Sequence, residues 1–203
     1  DEMPLLDTAY IAAHPPRTYT DDTQMTISVF EEMYENGTIN QQSLVRRFIR
    51  RFAPWRGYSG GMLDVIEQWK DGRDVETAAK ALYNGSGSFG DGAAMRVAPI
   101  SAFFTLGQVN ECMEEVRRCA LLTHTHPYGV SGACLQAYCV LLALNDVPHT
   151  EWLTRLFSFS IESAYKIKFE AISRCLEKAC SAHDAVREIG HDADALDAVP
   201  AAL

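Results

Sequence analysis

Ala133-Cys134-Leu135-Gln136-Ala137-Tyr138-Cys139-Val140-Leu141-Leu142-Ala143-Leu144 is the stretch whose reading decides the fold. Ala133, Ala137, Val140, Leu141 and Leu144 recur at three- and four-residue spacing, and almost nothing polar interrupts them. A helix that is apolar nearly all round has to be covered all round, so this one is predicted to be the centre of the core. The segments around it keep the same period. Met25, Val29, Phe30 and Met33 pattern a helix that Asn36-Gly37 stops. Leu44, Val45, Phe48, Ile49 and Phe52 make the apolar face of the next, and its outer face carries Arg46, Arg47, Arg50 and Arg51, read as a solvated surface. Gly57-Tyr58-Ser59-Gly60-Gly61 leads into Met62 to Trp69, Asp74 caps a helix through Ala78, Ala79 and Leu82, and Met113, Val116, Ala120 and Leu121 pattern another. Glu151 to Ser163, Ala164 to Ala179 and His183 to Ile189 are again helical in pattern, with neither alternating strands nor an internal repeat. The predicted fold is all-α: a compact orthogonal multi-helix domain over residues 1–203, with an irregular lead-in at 1–18 marked by Pro4, Pro15 and Pro16.

The chain's 203 residues suffice for one domain with a sizeable core. A net charge of −9 argues against direct DNA binding, because nucleic-acid affinity comes from Lys and Arg displacing counterions. An anionic ligand would have to be held by metal ions and backbone N–H groups. No charged segment followed by an apolar run opens the chain, and no apolar stretch is expected to approach membrane-spanning length. The expectation is a soluble intracellular protein without a membrane partner. Cys112, Cys119, Cys134, Cys139, Cys175 and Cys180 contain no C-x-x-C pair, and each falls in a helical pattern, where a thiol serves as a small buried hydrophobe in a reducing compartment.

Three stretches carry candidate chemistry. Tyr19-Thr20-Asp21-Asp22-Thr23 sets a hydroxyl and two carboxylates on consecutive residues where a loop becomes a helix. Mg²⁺ takes such oxygens, but consecutive side chains converge only off regular helix, where they do not splay at ~100° intervals. Plain N-capping of the helix that follows fits the same residues. Tyr83-Asn84-Gly85-Ser86-Gly87-Ser88-Phe89-Gly90-Asp91-Gly92 places four glycines in eight residues ahead of a helix start, which suits either an anion nest or a connector. In the nest reading Gly90 is expected to need its missing side chain, and Tyr83 and Phe89 are set to sandwich a planar base. Thr123-His124-Thr125-His126-Pro127 lacks the partners of a structural zinc site, so His124 reads as a cap or as a donor to a phosphate or hydroxyl.

In this order on an all-α chain, T-D-D-T at 20–23, R-G-Y-S-G-G at 56–61, N-G-S-G-S-F-G-D-G-A-A-M-R-V at 84–97 and T-H-T-H-P at 123–127 resemble the ADP-ribosylglycohydrolase family. The glycine loop is most similar to the branch that cleaves serine-linked ADP-ribose and poly(ADP-ribose), and Val199-Pro200-Ala201-Ala202 resembles a late core helix of the family. The resemblance implies hydrolysis of the glycosidic bond of ADP-ribosylated protein or poly(ADP-ribose), with two Mg²⁺ ions. Carried over by position, Thr20, Asp21 and Asp22 are metal ligands, Asp21 and Asp22 being also the catalytic residues. Ser86, Gly87, Ser88, Gly90, Asp91 and Gly92 wrap the diphosphate, Tyr83 and Phe89 hold the adenine, and His124 contacts the diphosphate end. Departures accompany the matches. The family's opening glycine-rich helix with its acidic residue has no counterpart before Tyr19, and its closing G-G-D-T-D-T-type segment has none before Leu203. Asp192 and Asp194, in His191-Asp192-Ala193-Asp194, come too early to replace it, and Asp91 stands where the related branch commonly has asparagine. These departures suggest a domain incomplete at both ends, with Leu196, Val199 and Leu203 left without apolar partners, weak metal binding and no catalysis by residues 1–203 alone. The complete form is expected to be a monomeric hydrolase. The alternative is an inactive ADP-ribose-binding or scaffold protein that has lost part of the metal site.

Overall fold

The computed structural model describes residues 18–159 and 161–203, so nearly all of the expected irregular lead-in lies outside the described residues. The chain runs through α1 (Asp21–Asn36), α2 (Gln41–Arg51), α3 (Gly60–Lys70), α4 (Val75–Ala81), α5 (Ala98–Ser101), α6 (Val109–Ala120), α7 (Pro127–Leu144), α8 (His149–Ser158), α9 (Ser163–Glu177), α10 (Ala182–Ile189) and α11 (Ala195–Ala201). A 3₁₀ segment at Asp91–Arg96 joins the glycine loop to α5. Among the described residues there is no strand, only an isolated antiparallel bridge between Gly90 and Asp194.

Helix α7 is the centre of the core, as its apolar repeat requires. It packs on the 91–96 segment, α5, α6 and α11. Pro127 occupies its first turn, where a missing N–H costs nothing, and His126 accepts from Tyr128 N–H at 3.1 Å ahead of it. In its last two turns Leu141 and Leu142 stay fully buried, while Val140 is half-buried and Leu144 is exposed. By length and mean hydropathy (18 residues, 1.4) α7 meets the requirement for a membrane-crossing helix, contrary to the sequence expectation, yet 56% of it is buried by other helices of the chain. Gly132 permits the tightest of those contacts. A β-carbon there would lie 2.6 Å from Tyr165 Oη on α9 and 2.8 Å from Ala195 Cβ on α11.

Local punctuation follows the sequence closely. Gly37 ends α1 in the left-handed conformation (φ 67) and donates to Met33 O at 2.8 Å, a geometry that glycine adopts without a Cβ penalty. Asp74 caps α4 by accepting from Thr77 N–H at 3.0 Å. The helical stretch expected over Glu151 to Ser163 instead stops at Ser158, and α9 begins at Ser163.

Packing changes two expectations. The α2 arginines are not a uniformly solvated face. Arg47 is buried and donates Nε–H to the fully buried Glu32 at 2.7 Å, while it also pairs with Glu31 and Glu35, and Arg51 pairs with Glu31. Glu32 further accepts from Ser43 Oγ–H and Asn36 Nδ2–H, so a charge removed from water is fully hydrogen-bonded. Only Arg46 and Arg50 face solvent. At the other end of the chain Val199 is 3% exposed against α7 and Leu196 is half-buried, so of the three residues expected to lack partners only Leu203 is exposed.

Candidate active site

Thr20 occupies the N-cap position of α1 but makes no side-chain bond to the helix amides. Its Oγ1–H donates to Asp22 Oδ2 at 2.6 Å. The capping reading therefore does not describe the Thr20 hydroxyl, whereas the Asp21 carboxyl does accept from the backbone N–H groups of Asp21 and Asp22. The two carboxylates do not lie off regular helix as expected, since Asp21 and Asp22 are the first two residues of α1. Both border a cleft of about 540 Å³. Burial, and then the charge of Asp22, raise the Asp21 carboxyl to a pKa of about 6. The R-G-Y-S-G-G stretch holds this corner in place. Arg56 stacks 3.8 Å from the Tyr19 ring centroid and donates to Tyr19 O, and Tyr58 Oη–H donates to Gln24 Oε1 at 2.7 Å.

The glycine loop forms the facing wall through Ser88, Phe89, Gly90, Asp91 and Gly92, with Tyr83 at its start. Ser86 and Gly87 stand behind that wall. Their N–H groups donate to Tyr83 O and Leu82 O, Gly90 N–H donates to Ser88 Oγ at 3.3 Å and Asp91 N–H donates to Ala193 O, so four of the seven amides from Ser86 to Gly92 already have acceptors. Gly90 is not where glycine is required: its φ is −63, and an added β-carbon would rest 3.6–3.8 Å from its neighbours. Gly87 is that place, with φ 74 and a β-carbon 2.1 Å from Thr125 Oγ1 and 2.8 Å from His126 N. Tyr83 and Phe89 are exposed, tilted by 43° with centroids 6.0 Å apart. A sandwiched base needs roughly 7–8 Å, twice a van der Waals contact, so the rings form an open platform at the cleft mouth rather than a ready slot. Tyr83 and Asn84 both hold left-handed backbone (φ 51 and 58), which costs Tyr83 about 1–2 kcal/mol, asparagine tolerating it better, and sets Tyr83 beside Gly61.

His124 lies between the loop and the core, buried, with its ring against Gly90, Gly92 and Gly129. A β-carbon at Gly92 would come within 3.1 Å of Cε1 and 3.3 Å of Nε2, which gives that glycine its reason. Behind the ring stands Arg96, which the sequence reading did not single out. It is fully buried, no carboxylate among the described residues pairs with it, and its Nη2 donates to Cys119 O at 2.9 Å and Thr123 Oγ1 at 2.8 Å. Thr123 Oγ1 is also 2.7 Å from His124 Nδ1. A guanidinium only donates, so the hydroxyl accepts from it, and Nδ1 is the acceptor left for the hydroxyl's own buried proton. Nδ1 therefore accepts, and Nε2 carries the imidazole proton toward the loop. Burial, reinforced by the Arg96 charge, lowers the His124 pKa to about 3, so the ring is a neutral donor at physiological pH. Thr123→Val should release this tautomer. Nitrogen-15 NMR of the His124 ring is expected to change from the Nε2–H pattern to a mixture with Nδ1–H, with a stability loss of about 2 kcal/mol from the orphaned Arg96 donor. An unchanged pattern would mean the tautomer is set elsewhere.

The third wall is Asp192, Ala193 and Asp194. Ala195 N–H donates to Phe89 O at 2.9 Å, which with the Asp91–Ala193 bond forms the isolated bridge and ties α11 to the glycine loop. Asp194 Oδ1 accepts from Asp197 N–H at 2.8 Å as the α11 cap, and Asp192 Oδ1 accepts from Ala193 N–H at 2.8 Å. Burial, then the Asp22 and Asp194 charges, raise the pKa of Asp91. Five carboxylates thus face a cleft with a single lining cation, Arg96, whose Nη2 is bonded to Cys119 O and Thr123 Oγ1 while its buried Nε has no partner among the described residues.

The family model described as ADP-ribosylglycohydrolase matches residues 2–203. Among curated proteins, the chain is 31% identical over 209 residues to the ADP-ribosylhydrolase ARH3 of Mus musculus, covering 91% of this chain and 56% of that protein. It is 32% identical to ARH3 of Xenopus tropicalis (92% of this chain, 59% of that protein) and 29% identical to ARH3 of Homo sapiens (91% and 57%). The chain thus spans a little over half the length of the curated relatives it matches. A solved structure described as an ADP-ribosylglycohydrolase-related protein complex superposes with a TM-score of 0.66 at 18% identity, covering 93% of this chain and 59% of that one, and so shares the fold.

Proposed function

The chain belongs to the ADP-ribosylglycohydrolase family, and from that premise we propose that its cleft takes the ADP-ribose end of an ADP-ribosylated protein or of poly(ADP-ribose) and hydrolyses the glycosidic bond that attaches it, with Mg²⁺. The observation that carries this reading is convergence. Asp21 and Asp22, the wall from Ser88 to Gly92, and His124 surround one cleft although they come from three stretches spread over about a hundred residues. Its size is that of a small-ligand site.

Electrostatics supports a divalent cation. Five carboxylates would repel a diphosphate, and an anionic ligand enters such a cleft only with cations to neutralise it. Asp21 and Asp22 present to the cleft the hard oxygen donors that suit Mg²⁺, which keeps waters where protein ligands are few, and the Thr20 hydroxyl stands beside them, bonded to Asp22. When bound, the metal supplies charge neutralisation and a lowered pKa for coordinated water. The resemblance implies two such ions in a complete site; in this chain only the Thr20, Asp21 and Asp22 set is assigned.

The chain's own groups supply recognition. Loop amides not already bonded within the wall meet the diphosphate, His124 Nε2–H donates to one of its oxygens, and the adenine lies on the Tyr83 and Phe89 platform. Ser86 and Gly87 act from behind by shaping the loop. Asp21 and Asp22 orient the ribose hydroxyls and promote cleavage at the anomeric carbon, where an oxocarbenium-like charge develops. By resemblance, Phe89 beside Ser88 favours the serine-linked and polymer class of substrate. Residues 1–203 are taken as part of one domain of the family, whose complete form would act as a monomer and without direct nucleic-acid contact.

Calorimetry with ADP-ribose, with and without Mg²⁺, tests the reading. Binding should tighten with Mg²⁺, and Phe89→Ala should weaken it about tenfold, the loss of one base–aromatic stack. Absence of ADP-ribose binding under both conditions would reject the reading. Mg²⁺-dependent binding without release of ADP-ribose from a modified peptide would select the binding-only alternative.

A further inference from the structure

Away from the cleft, two thiols and a carboxylate meet at the junction of α9 and α10. One ligand atom from each of Cys175, Cys180 and Glu188 lies within 4.8 Å of the others. Cys175 belongs to the last turn of α9 and Glu188 to the last turn of α10, and Cys180 stands in the link between them. The link folds back on itself. Ala179 is left-handed (φ 48), Cys180 N–H donates to Cys175 O at 2.9 Å, and Ala179 N–H donates to Leu176 O at 3.2 Å. This helix-ending turn usually places glycine at the left-handed position, and alanine there costs about 1–2 kcal/mol. The turn returns Cys180 over Cys175. Cys175 is buried, Cys180 half-buried and Glu188 exposed, so the cluster is shielded on one side and open on the other. Arg174 Nε pairs with Glu188 Oε2 at 3.7 Å, longer than a hydrogen bond, so a turn of the carboxylate toward the sulfurs gives up only a weak, solvent-exposed ion pair. The C-terminal carbonyls of α9 add partial negative charge at the same end.

We infer that Cys175, Cys180 and Glu188 form a binding site for a thiophilic divalent ion of the zinc class, with water in a fourth position. Zinc binds thiolate at about 2.3 Å and carboxylate at about 2.0–2.2 Å, which sets ligand atoms of a tetrahedron roughly 3.5–3.8 Å apart. Closing from the present spacing takes about 1 Å, within reach of side-chain rotation at Cys180 and Glu188 on the open side. As the two sulfur–metal bonds form, two thiol protons pass to solvent, and no electrons are transferred. Soft sulfur selects against Mg²⁺, so this site is chemically separate from the oxygen donors at 20–22. The remaining cysteines, Cys112, Cys119, Cys134 and Cys139, are buried within α6 and α7 and serve as internal controls.

The test is a cobalt(II) titration of the reduced chain in excess Mg²⁺, followed by displacement with Zn²⁺. The expected result is one bound ion with the intense ligand-field bands of tetrahedral coordination and a thiolate-to-cobalt charge-transfer band. Cys180→Ser should weaken affinity about a hundredfold, since loss of a direct ligand costs at least what loss of an outer-shell partner does. Glu188→Gln changes an exposed side chain and cannot unfold the protein. It should keep the charge-transfer band with affinity reduced about tenfold. The inference is overturned by a weak octahedral spectrum, or by equal cobalt binding in the Cys175→Ser, Cys180→Ser double variant. Closure of the pair to a disulfide in a glutathione buffer of cytosolic poise, leaving no thiols for metal, also overturns it and assigns the pair to redox chemistry instead.

Discussion

Asp21→Asn protein is expected to unfold at a higher temperature than wild type at pH 7 without divalent ions, and to lose the response to Mg²⁺. The folded-state pKa of Asp21 is raised from 3.8 to about 6 by burial and then by the Asp22 charge. A carboxyl whose pKa rises on folding binds more protons in the native state, so stability falls as pH rises. The penalty is absent below about pH 4, grows through the interval up to about pH 6 and is complete at pH 7. A shift near two units corresponds to about 3 kcal/mol, which solvent screening of a half-buried group reduces to about 2. Asparagine cannot ionise and should remove both this penalty and the slope of melting temperature between pH 4 and 6. Mg²⁺ relieves the same repulsion in wild type by binding the carboxylates, so its stabilisation should disappear in Asp21→Asn and in Asp22→Asn. In any form of the protein that releases ADP-ribose, either change should slow release more than about a thousandfold, the roughly 4 kcal/mol that metal neutralisation of the reacting centre supplies. A lowered melting temperature with Mg²⁺ response intact would return these residues to a helix-terminus role.

Gly132→Val should cost at least about 3 kcal/mol and abolish ADP-ribose binding together. The added β-carbon has to push aside Tyr165 Oη at 2.6 Å and Ala195 Cβ at 2.8 Å, and Val199 Cγ2 stands at 3.4 Å. None of these can yield cheaply: Tyr165 Oη–H donates to Tyr128 O at 2.8 Å, and Ala195 and Val199 are held in α11. Overpacking a close-packed core costs about 1–3 kcal/mol, and the loss of the Tyr165 hydrogen bond adds to it. The structural route to the site is short. Displacing α11 draws Ala195 and Ala193 away from Phe89 and Asp91, so the bridge that fixes the glycine loop opens. Denaturant unfolding measures the first effect, and calorimetry at a temperature where the variant remains folded measures the second. A variant as stable as wild type would mean that α11 is free to shift outward.

The sequence by itself determined whatever depends on a few neighbouring residues. The 3.6-residue repeat identifies α7 as the core helix because burial needs one apolar side per turn. Gly37 and Asp74 mark helix ends because a left-handed turn and an orphan amide are satisfied locally. The motifs at 20–23, 84–97 and 123–127, with Tyr83 just before the second, singled out residues of which the structure gathers Asp21, Asp22, Tyr83, Ser88 to Gly92 and His124 around one cleft. Tertiary structure alone decided the rest. Arg96 reads in sequence as an ordinary cation, yet packing against Phe48 and Thr123 makes it the buried support of His124. Arg47 reads as a surface charge until α1 presents Glu32 to it. Ala193 and Asp194 enter the cleft because α11 packs on α7 through Gly132 and pairs its first residues with the glycine loop, about a hundred positions earlier. Helix period and capping are set by bonds spanning a few residues. The direction in which a buried side chain points is set by which distant surfaces exclude water together, and no local pattern encodes that.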